Sequence, residues 1–448
     1  MATEIWLPAL LGYLIPIGVF LLAWGGMESN HARRAASVGS LALALATIGY
    51  FAVGFAFHLG GAQSVSEDPS LTELDALYAV GENSEWGLIG VTGFFLSGID
   101  ANDQSVPLTP EAMALFVNYL PLATTAVLLV ALSVHEQARG WQAAAGGLAI
   151  ATILFPIVAC WAWGGGWLSN LGSELTIARG HGFVDHAGSG TVYLLGGLAS
   201  LGALVGLKKR LPQGQIGEPA EMPPAHFPLL ANLGALLFGL GLLSWSLSTP
   251  FHAAGATLNL PRIAVNIVLA GAGATFVTQT YSWFAIGRAN ALMSARGAAA
   301  GFVAIAAGAP FVPPLAALFV GALVGVLLPL GIYFVERVLR LPDATATIAL
   351  GLTAGLIGLL VVPIFADGLW GQGWNGVGAE EYRTEALMGV VGFLPANKFD
   401  SNNGDGPGQL IAQLAGLGTI GALSFFIGWL TFTLLDLPYT RPWERWGK

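Results

Sequence analysis

Residues 180–197, GHGFVDHAGSGTVYLLGG, place Asp185, two histidines and Tyr193 at the start and in the body of an otherwise apolar run. An ionisable group within or at the end of an apolar span is expensive, and so marks a candidate functional position. Asp185 has two compatible readings. It is an anionic group stabilising a cation at the outer mouth of a helix, or it is the N-cap of the run that begins near Thr191, satisfying free N–H groups at the positive end of the helix dipole.

Aromatic residues gather near helix ends: Trp161, Trp163 and Trp167 in WAWGGGWL, Phe251 in STPFHAAGA and Tyr119 in VNYLPL. An aromatic face replaces part of the hydration of a small cation. Interfacial aromatic belts give the same pattern with no ligand. Of the seven histidines, His31 and His135 fall in turns, His226 at an inner helix end, His181 and His186 in an outer loop, and His58 and His252 near outward ends of spans. None has a histidine partner three or four residues away, so no zinc site is expected, and no histidine is expected deep in a span. Cys160 is the only cysteine, which excludes an intrachain disulfide; packing within its helix is the expected role. A GxxxxGK[ST] loop is absent, so ATP is not expected to drive any activity. Enzymatic chemistry, a cofactor, a metal and a nucleic-acid partner are likewise not expected.

The elements that carry these residues are transmembrane. The 448 residues are 55% hydrophobic and 10% charged, with 62 glycines and a mean hydropathy of +0.69, which excludes an ordinary water-soluble protein. Apolar runs recur over 5–24, 36–57, 112–134, 142–163, 191–207, 227–247, 263–284, 291–307, 314–338, 344–364 and 410–435. Each is about the length needed to cross ~30 Å of hydrocarbon as a helix, so an all-α membrane protein of eleven transmembrane helices is expected. With Met1 outside, 13 of the 17 basic residues fall on the inner face, and only Arg179, Arg262, Arg383 and Lys398 fall outside. That bias predicts an N-out, C-in topology. The first run has no basic flank and no small-residue cleavage pattern, so it reads as a retained span.

The net charge of −9 comes largely from residues 60–111, which hold nine acids and no Lys or Arg. This loop either concentrates cations or is simply a solvated acidic connector. The chain reads as one transmembrane domain. It divides into a five-helix half over 1–207, a cytoplasmic connector over 208–226, a second five-helix half over 227–364, an outer loop over 365–408, and a last helix with a short cytoplasmic tail over 409–448. Two five-helix halves have opposite orientation, the inverted-repeat plan of many transporters.

Several of these segments, in this order, resemble the ammonium transporter (Amt/Rh) family. FLLAWGGMESN is similar to the end of the family's first span and WGGGWL to its Trp-Gly-Gly-Gly segment. DHAGSGTVYLLGGLASLGALVGLKKR resembles its signature, PFHAAGA its Phe-Asn-Ala-Gly-Ser segment, SARGAAAGFVAIAAGAPFVPP its eighth span and GQLIAQL the entry to its last. The resemblance implies a homotrimer with a pore in each subunit, carrying ammonium, ammonia or another small neutral solute across a lipid bilayer, as expected of a plasma (inner) membrane protein. Dehydrating an ammonium ion in a low dielectric costs many kcal/mol, so family members separate ammonia from a proton that two facing histidines handle.

Carried over by position, the outer substrate site is Trp163 and Phe251 with Asp185 as its supporting acid. The gate is Phe251 with Tyr119 or Asn118. Three positions depart from the family pattern: Tyr193 and Gly351 stand where the pore histidines belong, and Gly255 replaces the outer serine. A tyrosine, with a reference pKa near ~10, relays protons poorly at neutral pH. The Tyr193 ring is expected to fill the space left by Gly351 and narrow the lumen; the alternative is a ring packed away from an open, apolar lumen. Three functions follow from the resemblance: conduction of ammonium or ammonia, ammonium binding without flux as a sensor, or passage of a different neutral solute. Only about a dozen residues follow Leu435, so a PII-type regulator is not an expected partner.

Overall fold

The computed structural model describes the chain apart from residues 1, 67, 82–85, 100–103, 173–179, 209–224, 249, 378–388, 397–405 and 438–448. Most of the expected connector 208–226, parts of the outer loop 365–408 and nearly all of the tail therefore lie outside the described residues.

Among the described residues, ten helices are long and apolar enough to cross a membrane: α1 (Leu7–Gly26), α2 (Ser29–Val65), α3 (Pro110–Val134), α4 (Gly140–Trp163), α5 (Ser189–Gly206), α6 (Pro228–Leu247), α7 (Leu260–Ile286), α9 (Pro314–Val338), α10 (Thr347–Phe365) and α11 (Gly408–Leu435). Between α7 and α9 runs the shorter α8 (Ala291–Ala306), where the eighth of the eleven expected crossings falls. Helical rise of ~1.5 Å per residue makes α8 only about 24 Å long, so residues beyond its ends must complete any crossing.

Hydropathy finds these helices because backbone polar groups in hydrocarbon must be satisfied within the segment. Large apolar side chains stay exposed on the bundle's outside, among them Leu229, Leu236, Phe276, Phe284, Leu315 and Phe319. In water such a surface is a liability; against lipid it is the favourable one. The centre is α3, whose residues from Asn118 to Val134 are all buried.

Small residues set the spacing between helices. A Cβ on Gly18 of α1 would fall 2.3 Å from the Phe238 backbone of α6, and one on Gly202 of α5 would fall 2.1 Å from the Phe425 carbonyl of α11. Only glycine permits these approaches. Among the described residues, five helices contain one widened π turn, over Tyr50–Gly54, Ile150–Leu154, Ser189–Leu194, Phe334–Val338 and Gly351–Gly355.

Connectors of two kinds lie at the two ends of the bundle. Short turns join α1 to α2, α3 to α4, α7 to α8 and α9 to α10. Described residues of the connectors that follow α2, α4, α6 and α10 pack on one another at the other end, here called the loop face, where Trp167 N–H donates to the Gly87 carbonyl and Thr257 N–H to the Gln372 carbonyl. There β1 (Leu77–Val80) pairs antiparallel with β2 (Trp86–Gly90), and β3 (Ser97–Ile99) pairs with β4 (Ser105–Pro107). The acidic segment, expected as a plain connector, thus carries two hairpins, fixed to the bundle by Trp161 Nε1 donating to the Leu88 carbonyl at 3.0 Å.

Candidate functional site

Asp185 lies just before α5, behind Gly188, whose φ of +84° is a left-handed turn that glycine adopts without steric cost. Its Oδ2 accepts from the backbone N–H of Gly190 at 3.0 Å and of Thr191 at 2.8 Å, and from the Thr191 hydroxyl at 2.8 Å. Asp343 does the same before α10, with Ile348 N–H at 3.2 Å on Oδ1 and Ala349 N–H at 2.9 Å on Oδ2. Each carboxylate serves donors five and six residues ahead and leads into a helix with a π turn. Burial pushes the Asp185 carboxyl upward from its ordinary range, and the hydrogen bonds from Thr191 and Gly190 pull the other way. Asp185 Oδ1 is buried without a hydrogen-bond partner.

The Asp185 carbonyl accepts from Trp163 Nε1 at 2.8 Å and so fixes that indole at the end of α4. Around Trp163 the structure assembles a cluster of rings from α2, α3, α4, α6 and the loop face. The His252 imidazole stacks on Trp163, with centroids 5.0 Å apart and planes 12° from parallel. Tyr119 lies 5.8 Å from Trp163 and 4.9 Å from His58, meeting the latter edge-on. Trp245 lies 5.9 Å from Tyr119, and Trp374 lies 5.5 Å from His252.

Hydrogen bonds set the tautomers in this chamber. His252 Nε2 lies 3.0 Å from the His186 carbonyl, which can only accept, so Nε2 carries the proton. Nδ1 of His252 is then the acceptor for the Tyr119 hydroxyl at 2.7 Å. By the same argument His186 Nε2 donates to the Ser246 carbonyl at 3.3 Å, which leaves a lone pair on Nδ1. The His58 Nδ1 pairs with the Tyr50 hydroxyl at 2.8 Å. Burial lowers the imidazole of His186 to about 4 and holds His252 well below the usual range, so both rings are neutral at pH 7. His58 Nε2, His186 Nδ1, Asn118 Oδ1, Ser246 Oγ and Trp374 Nε1 are buried without hydrogen-bond partners. The chamber therefore offers π faces together with unused polar atoms. That pairing suits a small ion that both stacks under aromatic faces and donates hydrogen bonds.

The expected site residues divide in their placement. Trp163, Tyr119 and the Asp185 backbone meet in the chamber, with Asn118 behind them donating to Ser248 Oγ at 3.3 Å. Phe251 lies in the short turn Phe251–Ala253 and is partly exposed; the ring that this turn lays on Trp163 is the neighbouring His252. Gly255 is open, with only the Gly373 carbonyl, 3.7 Å away, near its absent Cβ. Sequence reasoning separated His58, His186 and His252 into loops and helix ends. Residue spacing carried no signal that joined them; only the high density of rings around WAWGGGWL and STPFHAAGA pointed to this region.

Deeper in the bundle the arrangement around residue 351 differs from the expectation. A Cβ on Gly351 would lie 2.7 Å from Gly197 Cα and 2.8 Å from the Tyr193 carbonyl. Gly351 is thus a crossing point of the α5 and α10 backbones, and the space at its absent side chain is filled by backbone. The Tyr193 ring packs edge-on against Phe238 at 5.6 Å, and its hydroxyl is buried without a partner.

A sequence profile described as Ammonium Transporter Family matches residues 5–444. The ammonium transporter Amt2 of Archaeoglobus fulgidus is 28% identical over 86% of this chain and 74% of its own. The Haloferax mediterranei Amt2 is 30% identical over 64% of this chain and 67% of its own. Among solved structures, a protein titled Sensor Amt Protein superposes with a TM-score of 0.73 at 24% identity, covering 96% of this chain and 91% of that one. Mep2 of Candida albicans follows with a TM-score of 0.71 at 20% identity, over 96% of this chain and 83% of that one. These two superpositions speak to the fold, and the profile spans nearly every residue described above: the chain is a multi-pass membrane protein of the Ammonium Transporter Family.

Proposed function

We propose that this protein transports ammonium, capturing the ion in the chamber of Trp163, Tyr119, His252, His58 and His186 and passing it along the bundle core. The observation that carries the proposal is the His252 ring stacked on Trp163 and hydrogen-bonded to Tyr119, with neutral imidazoles and unused polar atoms around them. A neutral ring accepts an N–H hydrogen bond from the ion, whereas a protonated one repels it. On this reading Asp185 acts through the backbone: it holds the start of α5 and, by its carbonyl, the Trp163 indole.

Binding without flux is the second reading, favoured by Tyr193 and Gly351, which place no imidazole at the two family positions. Ammonium-evoked current and pH change in proteoliposomes separate the two: conduction supports transport, whereas calorimetric ammonium binding by a silent protein supports sensing. On the transport reading the protein has two inverted five-helix halves, forms a homotrimer, sits in the plasma (inner) membrane with the loop face outward, and carries no enzymatic activity. The matched Asp185 and Asp343 turns support the two halves.

A further inference from the structure

At the end of the bundle opposite the loop face, the first turn of α2, which holds His31 in place of the expected interhelical turn, meets the turn between α3 and α4. His31 Nδ1 lies 2.7 Å from Glu136 Oε1, and His135 Nε2 lies 3.8 Å from the same oxygen. One ligand atom from each of the three residues lies within 4.8 Å of the others. His135 is 1% exposed, and its Nδ1 sits 2.6 Å from the Leu132 carbonyl. A carbonyl accepts only, so Nδ1 carries the hydrogen and Nε2 presents a lone pair. That lone pair is buried, has no hydrogen-bond partner and faces a carboxylate, which is also an acceptor. A cation shared between them, a proton or a metal ion, reconciles two acceptors turned on one another.

We propose that His31, His135 and Glu136 form a binding site for a divalent transition-metal ion, zinc or a zinc-like ion, that ties the start of α2 to the turn between α3 and α4. Imidazole nitrogen and carboxylate oxygen suit such an ion, and two histidines with one glutamate are an established zinc ligand set that leaves one position to water. Tetrahedral ligands at bonds of ~2.0–2.1 Å stand about 3.3 Å apart. The observed 2.7 and 3.8 Å bracket that value, so small side-chain rotations close the site. The Leu132 carbonyl already supplies the outer partner that orients a metal-bound histidine. The Arg34 guanidinium is turned to the Ala138 carbonyl, and its charge weakens the site without blocking it. Sequence spacing hid the site because His31 and His135 are far apart in the chain.

The test is Co²⁺ and Zn²⁺ binding to the full-length, chelator-treated protein in detergent, read by calorimetry and by the visible absorption of tetrahedral Co²⁺. The wild type is expected to bind one ion per chain and to gain thermal stability from it. His31→Ala and Glu136→Gln are each expected to weaken binding at least about a hundredfold, the upper end of what even an outer-shell loss costs. His31 is 37% exposed, so His31→Asn is added as a milder variant, and each variant's metal-free melting temperature controls for folding. Absence of stoichiometric binding by the wild type overturns the proposal, as does binding that a folded His31 or Glu136 variant leaves unchanged.

Discussion

His252 is the residue through which the chamber is joined: its ring lies on Trp163, takes the Tyr119 hydroxyl on one nitrogen and gives the other to the His186 carbonyl. His252→Phe keeps a flat ring and strips both bonds. The Tyr119 hydroxyl is then buried without an acceptor, and the expected loss is about 1–3 kcal/mol in a thermal or denaturant melt, together with weaker ammonium binding. At Asp185 a pair of variants separates a local structural role from a charge role. Asp185→Asn retains an oxygen for the Gly190 and Thr191 N–H groups, while Asp185→Ala removes it. The Ala variant is expected to lose roughly 1–2 kcal/mol as a lost cap and the Asn variant to stay folded. If Asn also leaves ammonium affinity intact, the carboxylate charge is dispensable. Acid acts through the buried imidazoles. His186 has an ordinary value of 6.5 unfolded and about 4 folded, so the unfolded chain takes up a proton first as the pH falls. Stability is therefore fully present above pH 6.5 and declines toward pH 4, by about 3 kcal/mol for this one group, and an equilibrium melt across that window measures it.

At the scale of elements, the crossing of α5 and α10 is the tightest constraint on restoring the family's histidine pair. Gly351 and Gly197 touch backbone to backbone, so Gly351→His must push two helices apart. That variant is expected to destabilise the fold by more than the 1–3 kcal/mol typical of overpacking, whereas Tyr193→His is expected to fold; detergent melting temperatures compare them. The existence of the helices was legible in the sequence because hydrocarbon forbids unpaired backbone, and α8 and α10 fall within a few residues of their hydropathy runs. The expected 36–57 run grew to Ser29–Val65 because hydropathy cannot see a helix continuing through the polar stretch SNHARR. The π turns, the hairpins of the acidic loop and the Gly197–Gly351 contact depend on what each segment packs against, and one-dimensional pattern does not carry that. Of the two readings of Asp185, its service to helix N–H groups is within reach of the residues alone because those partners are only five and six positions away. The chamber was half visible: Trp163 and Tyr119 came from resemblance, whereas His252 reaches Tyr119 across 133 positions.

The whole molecule is a lipid-facing bundle whose polar chemistry is concentrated at two ends, an aromatic and imidazole chamber at the loop face and a histidine–glutamate cluster at the turn face. Between them the positions where the family pattern places histidines hold Tyr193 and Gly351, so the proposed discrimination of an ion rests on the chamber. The central claim is that the chamber captures ammonium for transport. The measurement that tests it most directly is ammonium-evoked current and internal pH change in proteoliposomes of the wild type beside Trp163→Leu and His252→Phe. If the chamber captures the ion, the wild type gives a saturable response that each substitution reduces at least about tenfold, the equivalent of ~1.4 kcal/mol of lost binding. A silent wild type, or conduction that neither substitution alters, contradicts it.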